Sequence, residues 1–144
     1  MIRMMTVIPG SPDPAYSWHM TTGLHAEIDQ LMEWQRMLEV RTSGLGASAA
    51  DVLKVGAAVL GFAEREEAVF FPLLPLLDPA ARAELGGEHE HLAEDLDLLA
   101  SLVEATPDSP DIAILAEAIA RRMRGHIARD GRLLAQAARM AAPR

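Results

Sequence analysis

The chain has 144 residues, a formal net charge of −8, half of its residues apolar, 4% aromatic and no cysteine. Its length fits one domain with a sizeable core, and its charge argues against nucleic acid or an anionic membrane as partner. The lack of cysteine excludes disulfides, thiolate zinc sites, iron–sulfur clusters and a cysteine nucleophile, so any metal must sit on histidine and carboxylate.

Alanine and leucine dominate, which favours helices over sheets. The opening MIRMMTVIPG is too short and too interrupted for a signal peptide. No run of about 18 apolar residues offers a membrane span. A cytoplasmic protein is the expectation.

Residues 1–14 hold prolines at 9, 12 and 14 and little periodicity, which predicts an N-terminal arm. The remainder, 15–141, reads as one helical domain. A first helix is predicted from about Tyr16 to about Val40, with Leu24, His25, Ile28, Leu31, Met32 and Leu38 on its inner face. A glycine-rich turn follows, and Ser48 is a good N-cap with Asp51 three residues on. The second helix is predicted from about Ala49 to Leu77, kinked or frayed near Pro72 and Pro75. Its apolar stripe is Val52, Val55, Val59, Phe62, Phe70 and Leu73, and Glu66 falls on that stripe.

Asp78-Pro79 predicts the start of a third helix reaching about Ala105, with Gly86-Gly87 as a weak point where it bends or breaks. Its stripe is Leu85, His89, Leu92, Leu96, Leu99 and Val103. Thr106-Pro-Asp-Ser-Pro110 is a turn. The fourth helix is predicted from about Asp111 to Met140, with Ile112, Leu115, Ile119, Met123, His126, Asp130, Leu133 and Leu134 facing inward. Four long helices with short links give an all-α, antiparallel up-down-up-down four-helix bundle.

Every one of these helices carries an ionisable residue on its apolar stripe: His25, Glu66, His89, and the pair His126 and Asp130. Helical rise brings them to one level, at about 1.5 Å per residue. His25 and Glu66 stand about 16 and 17 residues from the first turn, Glu66 and His89 about 11 and 10 from the second, and His89 and His126 about 16 and 15 from the third. A carboxylate on a core-facing stripe must be protonated, paired or bound to a cation. Histidine and carboxylate without thiolate suit iron, manganese or zinc. His126 and Asp130, at i and i+4, share one helical face and reach one centre. The competing reading pairs Glu66 with Arg122, one turn before His126, and needs no metal.

The same residues resemble the hemerythrin-like (HHE cation-binding) domain family across nearly the whole chain. The resemblance rests on His25 in HAEID, Glu66 in EREEAVFFP, His89 in EHEHL, and His126 with Asp130 in HIARD. It implies a non-heme di-iron centre that binds or senses dioxygen, peroxide or nitric oxide, with Glu66 and Asp130 as candidate bridges. Two departures matter. Phe62 stands where the family's second helix has a histidine, and Ala93 stands where the oxygen carriers have a second histidine on helix 3. The expectation is therefore an asymmetric dimetal site or a single ion. One position keeps His89, His126 and the bridges, and the other has only His25 and the bridges. Glu64 and Glu67 flank the stripe and are read as solvated, with Glu67 able to rotate in as a substitute ligand. His91 and His19 are read as surface residues. Two further readings stand beside this one: a metal-poor helical module acting through protein contacts, and an enzyme, for instance a peroxide-decomposing one, which no feature selects.

Overall fold

The computed structural model describes residues 14–141, with side chains over 23–140. The arm expected over 1–14 lies outside the described residues apart from Pro14, which opens the first helix, and the side chain of His19 lies outside them too. Four long helices form the domain: α1 (Pro14–Ser43), α2 (Ala49–Val69), α4 (Ala81–Ala105) and α5 (Asp111–Ala141). Between α2 and α4 lie a 3₁₀ turn (Phe71–Leu73) and the short α3 (Leu74–Leu77). There is no strand among the described residues. No helix there is long and apolar enough to cross a membrane.

Each helix buries one stripe. On α1 the buried positions are Ile28, Leu31, Gln35, Leu38 and Thr42, at alternating steps of three and four. The helix ends as the Thr42 and Ser43 hydroxyls donate back to the carbonyls of Glu39 and Val40. Ser48 caps α2 as expected, its hydroxyl accepting from the Asp51 amide. The helix α2 stops at Val69, eight residues before the expected end. Pro72 and Pro75 have no N–H to continue the ladder, so the chain tightens into the 3₁₀ turn and restarts as α3. The third long helix starts at Ala81 because Asp78 uses its carboxylate to hold the Ala80 amide in a turn. The break expected at Gly86-Gly87 does not occur. Ala81, Leu85 and His89 bury one continuous face there, and that packing outweighs the weak helix propensity of two glycines, about 1 kcal/mol each.

The four long helices enclose one core. The helix α1 packs on α2 and α5, α4 packs on α2 and α5, and α2 meets α5 across the interior. Two close approaches depend on glycine. A Cβ at Gly56 would lie 2.6 Å from both Leu96 methyls, and one at Gly131 would lie 2.5 Å from the Gln35 amide nitrogen. Gln35 sits there to donate a buried hydrogen bond to the Ile127 carbonyl at 2.9 Å, tying α1 to α5.

Candidate metal centre

Besides Gln35 and Thr42 on α1, the buried polar side chains of the core gather at one place. On α2 the stripe runs Val55, Val59, Phe62, Glu66, Val69, so the heptad-like spacing that buries the apolar residues also buries the carboxylate. On α4 the sequence Leu85, His89, Leu92, Leu96 does the same for an imidazole. On α5, Met123, Ile127 and Leu134 carry His126 and Asp130 inward. Glu66 and Asp130 are fully buried, and His89 and His126 nearly so. One ligand atom from each of these four residues lies within 4.8 Å of the others. The structure thus brings together four of the five residues read from the sequence.

The fifth, His25, stands outside this group. It is half-buried, its Nε2 lies 3.7 Å from Asp29, and its Nδ1 is buried without a hydrogen-bond partner. Phe62, which fills the wall on α2, is fully buried and meets Trp34 edge to face, with ring centroids 5.4 Å apart.

Inside the group, the Nε2 atoms of His89 and His126 face each other at 3.1 Å. Asp130 Oδ2 is 3.1 Å from His126 Nε2, and Glu66 Oε1 is 3.4 Å from His89 Nε2, both without hydrogen-bond geometry. All four carboxylate oxygens of Glu66 and Asp130 are buried and lack a hydrogen-bond partner. Unpartnered buried acids are costly, since the ionised form loses its hydration and gains nothing in return. Burial, reinforced by the adjacent Asp130, pushes the Glu66 carboxyl up to about 10. Burial pulls the His126 imidazole down, but Asp130 and Glu88 outweigh it and leave the group above its ordinary range. A proton or a cation can neutralise such a group.

The outer edges of both rings are held by carboxylates. His89 Nδ1 is 2.8 Å from Glu67 Oε2, and His126 Nδ1 is 2.5 Å from Glu88 Oε1. A carboxylate can only accept, so each contact favours Nδ1–H, and the ring in its neutral form then turns its Nε2 lone pair inward. Carboxylate, imidazole and metal in series is a recurring arrangement around metal ligands. Phe71, from the 3₁₀ turn, stacks on His89 with centroids 5.5 Å apart and the planes 19° from parallel.

Glu88 escaped the sequence reading, and Glu67 appeared there as solvated. Both sit beside a buried stripe rather than on it, so periodicity does not mark them. The one signal available was adjacency, Glu66-Glu67 and Glu88-His89, with each carboxylate serving a histidine on the neighbouring helix. The Arg122 alternative is not realised: that guanidinium pairs with Asp95, and Glu66 has no arginine or lysine partner among the described residues. His91 is exposed, as expected.

Two imidazoles and two carboxylates can hold a divalent ion, the two acids balancing its charge. No family model, no curated protein and no solved structure matches this chain.

Proposed function

We propose that this protein is a hemerythrin-like, non-heme iron protein that binds or senses dioxygen, peroxide or nitric oxide in the cytoplasm. The carrying observation is the buried group Glu66, His89, His126 and Asp130, with four orphaned carboxylate oxygens and two imidazole nitrogens turned toward each other. Nothing in the described interior but a proton or a cation reconciles those atoms. Iron is the ion favoured by this reading, and zinc or manganese suit the same donors.

The up-down-up-down bundle belongs to the same reading, and the residue pairs support it. Glu27 meets Arg65 and Trp34 meets Phe62, Gly56 meets Leu96 and Glu67 meets His89, Glu84 meets Arg129 and Asp95 meets Arg122, Gln35 meets Ile127 and Thr42 meets Arg124. In every set one helix number rises as the other falls. We assign one tight ion to the group of four. A second ion would need His25 beside Glu66 and Asp130, and would be held more weakly because Phe62 supplies no ligand. An iron ion held by these residues would supply a place for a small diatomic to bind. The residues around it exclude bulk water, fix the two imidazoles and balance charge.

Elemental analysis after iron-supplemented expression is the direct test, combined with an optical spectrum before and after nitric oxide. We expect one to two irons per chain and a spectral change on addition of the gas. Trace metal overturns the iron reading, and bound iron that is indifferent to nitric oxide, peroxide and dioxygen overturns the ligand reading.

A further inference from the structure

The two outer carboxylates are held differently. Glu88 uses both oxygens: Oε1 faces His126 Nδ1 at 2.5 Å, and Oε2 accepts from Arg129 Nη1 at 3.1 Å. Arg129 is anchored in turn, Nη2 donating to Glu84 Oε1 at 2.7 Å. Glu67 has no such tether. It is half-exposed, and among the described residues its ion-pair partner is His89 alone.

Resting on the metal-centre reading above, we infer that Arg129 is a positioning residue for the centre, acting through Glu88 to fix His126 with its Nε2 lone pair inward, while His89 is held by Glu67 without an anchor. A guanidinium accepts no hydrogen bond, so it always takes an oxygen of the group at position 88. With a carboxylate there, the remaining oxygen is left for His126 and the ring carries its proton on Nδ1. His126 is then the preorganised half of the site and His89 the adaptable half.

Amide substitution exposes the difference. In Glu88→Gln, Arg129 takes the amide oxygen and turns the NH₂ group toward His126 Nδ1. The ring must then carry its proton on Nε2, pointing it into the site where a lone pair is needed. In Glu67→Gln no arginine dictates the orientation, so the amide oxygen can still accept from His89.

Nitrogen-15 NMR of the imidazoles in metal-free protein, at a pH above the His126 titration where the ring is neutral, with cobalt(II) titration of the same variants, tests this. We expect Glu88→Gln to switch His126 to the Nε2–H tautomer and to lose about 10- to 100-fold in cobalt affinity, the usual size of such outer contacts. Glu67→Gln should keep the His89 tautomer and lose only a few-fold. The double variant Glu88→Gln/Arg129→Met should recover both the Nδ1–H tautomer and much of the affinity, because the amide is free to turn back. A His126 tautomer unmoved by Glu88→Gln, or a double variant no better than the single one, overturns the inference. The NMR arm needs no metal, so it decides the role of Arg129 even when cobalt fails to bind. Failure of wild-type protein to take up any divalent ion overturns the metal reading instead. Should Arg129→Met lose its fold, the tautomer in Glu88→Gln alone remains decisive, since only Arg129 forces that amide to turn.

Discussion

His89 and His126 meet Nε2 to Nε2 at 3.1 Å while the Nδ1 of each ring is engaged by a carboxylate on a neighbouring helix. Held at Nδ1 in this way, each ring turns its Nε2 toward the other. Something positive belongs between them, and Glu66 and Asp130 add two more unshared acids at the same spot.

Metal uptake should release protons. The Glu66 carboxyl, at about 10, keeps its proton through the neutral range, and His126 holds its own above the ordinary imidazole range. A divalent ion must displace them. Calorimetry at neutral pH in buffers of different ionisation enthalpy should show about one or more protons leaving per ion bound, with affinity rising as pH rises. Uptake without proton release contradicts the protonated site.

Stability of the metal-free protein should fall with rising pH. Between about 4.5, the ordinary carboxyl value, and about 10, the unfolded chain has lost the Glu66 proton while the folded chain retains it. The folded state thus binds more protons, and its stability declines across that window. His126, also raised, acts with the same sign: its contribution is present below the ordinary imidazole value and is lost as pH climbs through the folded one. Thermal melts from about pH 5 to pH 9 should show a falling Tm without metal and a flatter profile with it.

Glu66→Gln mimics the protonated acid in shape. The metal-free variant should match wild type in urea denaturation at about pH 4, be the more stable of the two at neutral pH, and lose much of the decline with rising pH. It should bind cobalt(II) or iron(II) at least about 100-fold more weakly, since it lacks one of two charge-balancing ligands. A variant that binds as tightly as wild type removes Glu66 from the site.

His25 and Phe62 separate one ion from two. His25 stands outside the group of four, so His25→Ala should leave the first ion bound and abolish any second. Phe62→His puts an imidazole donor into the fully buried α2 wall. It should raise metal stoichiometry or affinity at the His25 position, read by elemental analysis, and lower metal-free stability by about 1–3 kcal/mol, the cost of a buried polar group left without a partner. Unchanged metal content places the gap elsewhere.

On α2 the same substitution should act with opposite signs. Gly56→Ala drives a methyl against Leu96 and should cost about 1–3 kcal/mol. Gly61→Ala meets nothing within 4 Å and should gain up to about 1 kcal/mol from helix propensity. Urea denaturation of both variants checks the contact between α2 and α4.

Much of the architecture was legible because one periodicity governs it. The stripe that includes Val52, Val59 and Phe62 carries Glu66 with it, and an all-helical domain with that carboxylate inside follows from spacing alone. Boundaries were less legible where local chemistry competes with packing. Pro72 ended α2 earlier than the stripe suggested, whereas Gly86 and Gly87 failed to break α4 because their neighbours bury a full face. His25 shared a stripe and a level with the others yet stayed apart, since a shared level does not fix which way a half-buried side chain turns. Glu88 and Arg129 were invisible for a plainer reason. Their roles exist only between helices, and no spacing within one helix encodes them.

The break after α2 has a spectroscopic consequence. Because the chain tightens at Phe71, that aromatic ring lies nearly parallel over the His89 imidazole, while the His126 ring meets His89 close to edge-on. The circulating π-electrons of Phe71 shield what lies above its face, so His89 carbon-bound protons should resonate upfield of those on His126. The two histidines thereby carry distinct signatures in one spectrum, and a paramagnetic ion introduced between them can be followed from each side separately.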